Sequence, residues 1–181
     1  MNEIQIESIN HQNVKIEDFK TTFVVLNVEN NSYRLNYIEK KEVFLKQKDD
    51  GILKYYSEHP LLINHNESTL EVYINSSPAD ISTFIYEVEH AINFIIKGWR
   101  SWKEYIEINS GIHLETFKQN IKDGNGKLLN APISIVESIE KICIKHRVKI
   151  KVFSERRYTR HKLIIINNQF MIAKDFQLHP K

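Results

Sequence analysis

The sequence predicts an α+β fold with an N-terminal antiparallel sheet, a long amphipathic helix and a C-terminal mixed αβ unit. Three observations carry that prediction. Short β-branched and apolar runs, broken by turn residues, fill the first 75 residues. From Ser77 the apolar residues recur at steps of three and four. After Pro132 the two patterns alternate. A period of two marks a half-buried strand, and a period near 3.6 marks a helix face.

Ile4, Ile6 and Ile9 predict a short first strand, and 21–28 predicts a second. Glu29-Asn30-Asn31-Ser32 is a turn, because Asn tolerates the left-handed backbone. Tyr33, Leu35 and Tyr37 alternate with Arg34 and Asn36 on the next strand. Further strands are expected over 43–45, 52–56 and 70–74, with Asp49-Asp50-Gly51 turning between two of them. Such short turns favour an antiparallel meander. Ile81, Phe84, Ile85, Val88, Ile92, Ile95 and Ile96 lie on one helix face, with Trp99 and Trp102 in step. Ser77 is the expected N-cap and Pro78 the first helical residue. The stripe extends to about Tyr105 unless Gly98 ends the helix earlier. A helix over 114–121, a strand over 127–129 and a Pro132-started helix carrying Ile135, Val136, Ile139, Ile142 and Cys143 follow. Ile150 and Val152 point one way from a strand, and Lys149 and Lys151 the other. The continuous run 163–166 suits a central strand covered on both faces, and Asn167-Asn168 turns it back into 170–173.

The chain has 181 residues, which fits one continuous domain or two halves, 1–110 and 111–181. A chain of this length buries roughly two-thirds of its unfolded surface, so disulfides and structural metals are not required. A single Cys143 excludes an internal disulfide framework and Cys-rich zinc sites. At 41% apolar and 10% aromatic residues, the composition is that of a folded chain. No apolar run spans a bilayer, and MNEIQIESIN lacks a secretory signal, so a cytoplasmic protein is expected. The 27 Ile and 17 Asn against 4 Ala point to an AT-rich genome, bacterial or phage. Residues 1–110 carry 11 basic and 17 acidic residues, a net of −6, whereas 111–181 carry 14 and 6, a net of +8. Such asymmetry hints at a charged partner.

Candidate chemistry is sparse. Asp123-Gly124-Asn125-Gly126 has the glycines of a phosphate loop but lacks the Gly-Lys-Ser/Thr ending and precedes a strand, so it reads as a turn. The eight histidines show no His-x-x-x-His pair, and no metal or cofactor is expected. Trp99 belongs with the core stripe, while Trp102, beside Lys103, is a candidate to stack on bases or anchor a partner. The basic segment is the leading candidate. Between Lys145 and Lys162 only Glu155 opposes Lys145, Arg147, Lys149, Lys151, Arg156, Arg157, Arg160 and Lys162, with Tyr158 among them. Guanidinium forks suit phosphate or carboxylate. The residues expected to bind a partner are Arg156, Arg157, Tyr158, Arg160, Lys162, Lys149, Lys151 and Trp102.

Over 132–178 the order is helix, strand, basic loop, apolar strand, turn, strand, with Arg160-His161-Lys162-Leu163-Ile164-Ile165-Ile166-Asn167 at its centre. This resembles one half of a phospholipase D-like fold. Active members of that family carry His-x-Lys-x4-Asp, the His as nucleophile and the Lys on phosphate. Aligning Lys162 puts Arg160 at the His position and Asn167 at the Asp position. Shifting by one recovers His161 and loses the Lys, and Ala173-Lys174 replaces the usual Gly-Ser. Arginine does not deprotonate to act as a nucleophile. The resemblance therefore implies either a binding module or a phosphodiesterase with an altered motif.

The functional expectation is a non-enzymatic binding protein, such as an immunity-type or anti-defence inhibitor, that engages an acidic macromolecule through its basic C-terminal face. An acidic protein stands ahead of nucleic acid as that partner. A nucleic-acid-binding protein using the same patch, and the altered phosphodiesterase, are the alternatives.

Overall fold

A computed structural model describes residues 4–46, 48–155 and 160–181, the side chain of Glu155 excepted. In chain order the elements are β1 (Asn13–Phe19), β2 (Phe23–Val28), β3 (Asn31–Phe44), β4 (Asp50–Tyr56), a short α1 (Ile63–Asn66), β5 (Thr69–Ile74), α2 (Ile81–Ile96), α3 (Leu114–Asp123), β6 (Gly126–Pro132), α4 (Ile133–Lys145), β7 (Ile150–Glu155), β8 (Lys162–Ile166) and β9 (Gln169–Pro180). The class is α+β. The chain parts into two compact units, residues 1–62 with 159–181, and residues 63–158. Residue 110 lies inside the second unit.

The first unit is a closed six-stranded barrel in the order β1-β2-β3-β9-β8-β4, every pairing antiparallel. Val14, Ile16, Val24, Leu26, Leu35, Leu53, Ile164, Met171 and Phe176 fill its interior. A barrel of so few strands has room for side chains and none for a lumen. Strand β1, which the expected elements do not include, alternates Val14 and Ile16 inward with Lys15 and Glu17 outward. The stretch expected as a first strand makes one bridge, Ile4 to Leu178, and then a 3-10 turn over Ile6–Ile9. The separate strand expected over 43–45 is the end of β3, which continues past Glu39 (φ 48°) with a shift of register between Lys40 and Glu42. A bulge of this kind bends a long strand without ending it. Strand β8 is covered on both faces as expected. Ile164 and Ile166 face the barrel interior, while Leu163 and Ile165 pack on Leu61 and Leu62.

The second unit is a three-stranded antiparallel sheet, β6-β5-β7, with helices on one face. Leu70, Val72 and Ile74 of β5 share a core with Phe84, Val88, Ile92 and Ile96 of α2, Phe117 and Ile121 of α3, and Ile135, Ile139 and Cys143 of α4. The cap of α2 is Asp80, not Ser77. Its carboxylate accepts from the Thr83 backbone N–H at 3.0 Å and the Thr83 hydroxyl at 2.7 Å. The helix stops at Ile96, because Lys97 (φ 50°) and Gly98 (φ 74°) turn left-handed. Among the described residues no helix is long and apolar enough to cross a membrane.

Candidate binding face

The basic segment does not stay together in one unit. Lys149 and Lys151 belong to the 63–158 unit, whereas Arg160 and Lys162 belong to the barrel unit. Arg156, Arg157 and Tyr158 lie outside the described residues. Arg160 is exposed. Lys162 Nζ sits 2.8 Å from Asp175 Oδ1, and its hydrogen bonds to Asp175 and Tyr55 hold its proton more tightly than usual. Asn167 is similarly engaged, donating to the Asp50 carbonyl at 2.7 Å and to Asp49 Oδ2 at 3.3 Å. The His161 side chain is buried, at 2% exposure. The stretch 132–178 is likewise shared, with α4 and β7 in one unit and β8 and β9 in the other.

Trp102 is not a surface anchor. It is 8% exposed and packs edge-to-face on Phe117 at 6.1 Å, while Trp99, expected in the core, is 40% exposed. The reason is the early end of α2. Beyond Ile96 the helical step no longer applies, and a capping box at Ser101 starts a new 3-10 turn, Trp102–Tyr105, that directs Trp102 inward. Asp123-Gly124-Asn125-Gly126 is a helix end. The Gly124 N–H returns to the carbonyls of Asn120 and Ile121 with φ 63°. Cys143 is buried, and desolvation pushes its thiol up to about 12, so it is an inert core residue. Among the described residues no three of His, Cys, Asp and Glu cluster closely enough to hold a metal ion.

The chemistry that does converge lies on the outer face of the three-stranded sheet. Because Leu70, Val72 and Ile74 point to the helices, Glu71 and Tyr73 must point away from them. On β7 the register sets Lys151 opposite Tyr73 and Phe153 opposite Glu71. The ladder runs one step further, with the Asn75 N–H on the Lys149 carbonyl at 2.7 Å, so Lys149, Lys151 and Phe153 share a face. On β6, Lys127 stands opposite Tyr73. Glu71, Tyr73, Asn75, Lys151 and Phe153 line a shallow cleft of about 570 Å³. The Tyr73 and Phe153 rings meet edge-to-face at 5.6 Å and 87°, and Phe153 remains 55% exposed.

The charges in this cleft are unevenly committed. Lys127 Nζ is 2.5 Å from Glu71 Oε1, and the Tyr73 hydroxyl donates to Glu71 Oε2 at 3.3 Å. The Lys127 hydrogen bond holds the Glu71 carboxyl below its usual range, with Tyr73 adding to it. Glu71 is thus neutralised in place. Lys149 and Lys151 are exposed and make no ion pair with a described residue. They set the sign of the face. Phe153, Tyr73 and Lys127 were missed from the sequence, although strand parity alone places Phe153 beside Lys149 and Lys151. The sequence matches no protein-family model, no curated protein and no solved structure.

Proposed function

We propose that this protein is a non-catalytic binding protein that holds an acidic macromolecule on the outer face of its three-stranded sheet. One observation carries the reading: two exposed lysines, Lys149 and Lys151, flank an exposed aromatic cleft while the only described carboxylate lining it, Glu71, is already paired. Fixed positive charge beside apolar surface attracts a polyanion and gives it something to desolvate against. The basic face of this reading is narrower than the whole 145–162 segment, because Lys162 is committed to Asp175 within the barrel. A catalytic role for His161 would require its ring at a substrate, and that side chain is enclosed.

The test is the double reversal Lys149→Glu/Lys151→Glu. Wild-type protein is titrated at low salt against two polyanions, polyglutamate and an oligonucleotide, with circular dichroism as the folding control. Wild type is expected to bind at least one, and the folded reversal neither. Equal binding by the folded reversal overturns the proposal.

A further inference from the structure

We infer that the occupant of this face is single-stranded nucleic acid, with a base stacked on Phe153 and its backbone on Lys149 and Lys151. The inference rests on the binding reading above and names its partner class. Three features of the cleft separate a nucleic acid from an acidic polypeptide. The first is the ring pair. Tyr73 braces Phe153 edge-on at 87°, which holds the exposed Phe153 ring in a fixed attitude at the surface. A flat exposed ring is a stacking platform for any base, because every base has a π-face. Carboxylate side chains gain nothing from it.

The second is the spacing of cation and ring. Lys149, Lys151 and Phe153 follow at every second residue of one strand, so successive groups stand ~7 Å apart along a line. A single strand with its bases splayed to one side presents phosphates and bases along such a line. The third is the polar floor. Glu71, held as a carboxylate by Lys127, is an acceptor for the exocyclic amino group of a base, and the exposed Asn75 amide both donates and accepts. The same carboxylate, an acceptor with no proton to give, offers nothing to the carboxylates of an acidic peptide. A duplex keeps its bases inside the stack, where the Phe153 ring has no base face to stack on.

The experiment uses the full chain and fluorescence anisotropy, with labelled oligo-dC and oligo-A, a duplex of equal length, and labelled polyglutamate, at about 50 mM salt. Binding is expected to a single strand ahead of the duplex and polyglutamate. Phe153→Ala should weaken it about tenfold, in the range of one lost base stack. Phe153→Leu, which keeps apolar bulk but removes the ring, should lose as much, and Phe153→Tyr should restore it. Lys149→Ala/Lys151→Ala should flatten the salt slope by about 1.4, at ~0.7 per phosphate on a single strand. Single-strand binding that ignores all Phe153 changes, or binding of polyglutamate alone, overturns this inference and leaves the binding reading standing. Binding of none of the four probes overturns both.

Discussion

In the barrel every strand has a partner on each side, whereas in the three-stranded sheet, among the described residues, β6 and β7 each pair only with β5. Closure removes strand edges and turns alternate side chains into a filled interior. The open sheet has helices for one face only, so its other face is left to solvent with whatever side chains parity puts there. The same alternation that packs Ile164 and Ile166 inside the barrel puts Lys151 and Phe153 outside the sheet. A barrel strand such as β1 also keeps an outward side, with Lys15 and Glu17 on it, but both of its edges are paired. Among the described residues β6 and β7 keep an outward side and one unpaired edge each.

That contrast can be broken at several strengths. The largest effect is expected from Ile92→Asp, which buries an unpaired charge among the helices over the sheet. It should cost about 4 kcal/mol or more and be read as a collapse of the urea midpoint. Leu35→Ala in the barrel interior removes packing without adding charge, and should cost about 3 kcal/mol. Gly124→Ala comes next, at about 2 kcal/mol. A Cβ there would run into the Ser77 backbone nitrogen, in a backbone with φ +63°. Phe153→Ala should cost no more than about 1 kcal/mol, since it loses one ring pair and little burial. A Phe153 penalty as large as that of Leu35 would mean the outer face is structural and not spare.

The smallest effect concerns pH. The Glu71 carboxyl is depressed in the folded protein, chiefly by the Lys127 hydrogen bond. Its contribution is therefore present above the unfolded carboxyl value, near ~4.3, and is lost as pH falls through the lower folded value. Lys127→Met should flatten the acid limb of the stability curve below about pH 4.5, by under about 1 kcal/mol because the pair is partly solvated. An unchanged acid limb would show that Glu71 is held by something other than Lys127.

Most local structure was legible in the sequence. The α2 stripe, the α4 face with Cys143, the two-faced β8 and the Asn167-Asn168 turn all follow from spacing and turn chemistry within a few residues. Half of the candidate site was legible too. Lys149 and Lys151 announce themselves by charge, but Phe153 counted only once β5 had set which side of β7 faces out. Trp102 was misplaced because its spacing continues a stripe that the backbone abandons at Lys97. The charge asymmetry along the chain also changes meaning. The barrel unit holds 12 basic and 11 acidic residues and the other unit 13 and 12, so each is nearly neutral.

By itself the sequence determined the α+β class, the periodicity of its helices and strands, and the presence of unopposed lysines near the end of α4. Only the tertiary structure decided that β8 and β9 close the barrel between β3 and β4, that the basic segment is divided between two units, and that Lys151 lines a cleft with Tyr73 and Phe153 while Lys149 stands on the same face. The physical reason is range. Periodicity, capping and turn preference act over a few residues, while strand pairing joins Phe44 to Phe170 and Tyr73 to Lys151. No local propensity selects that partner; the cores that form when the pairing is made do.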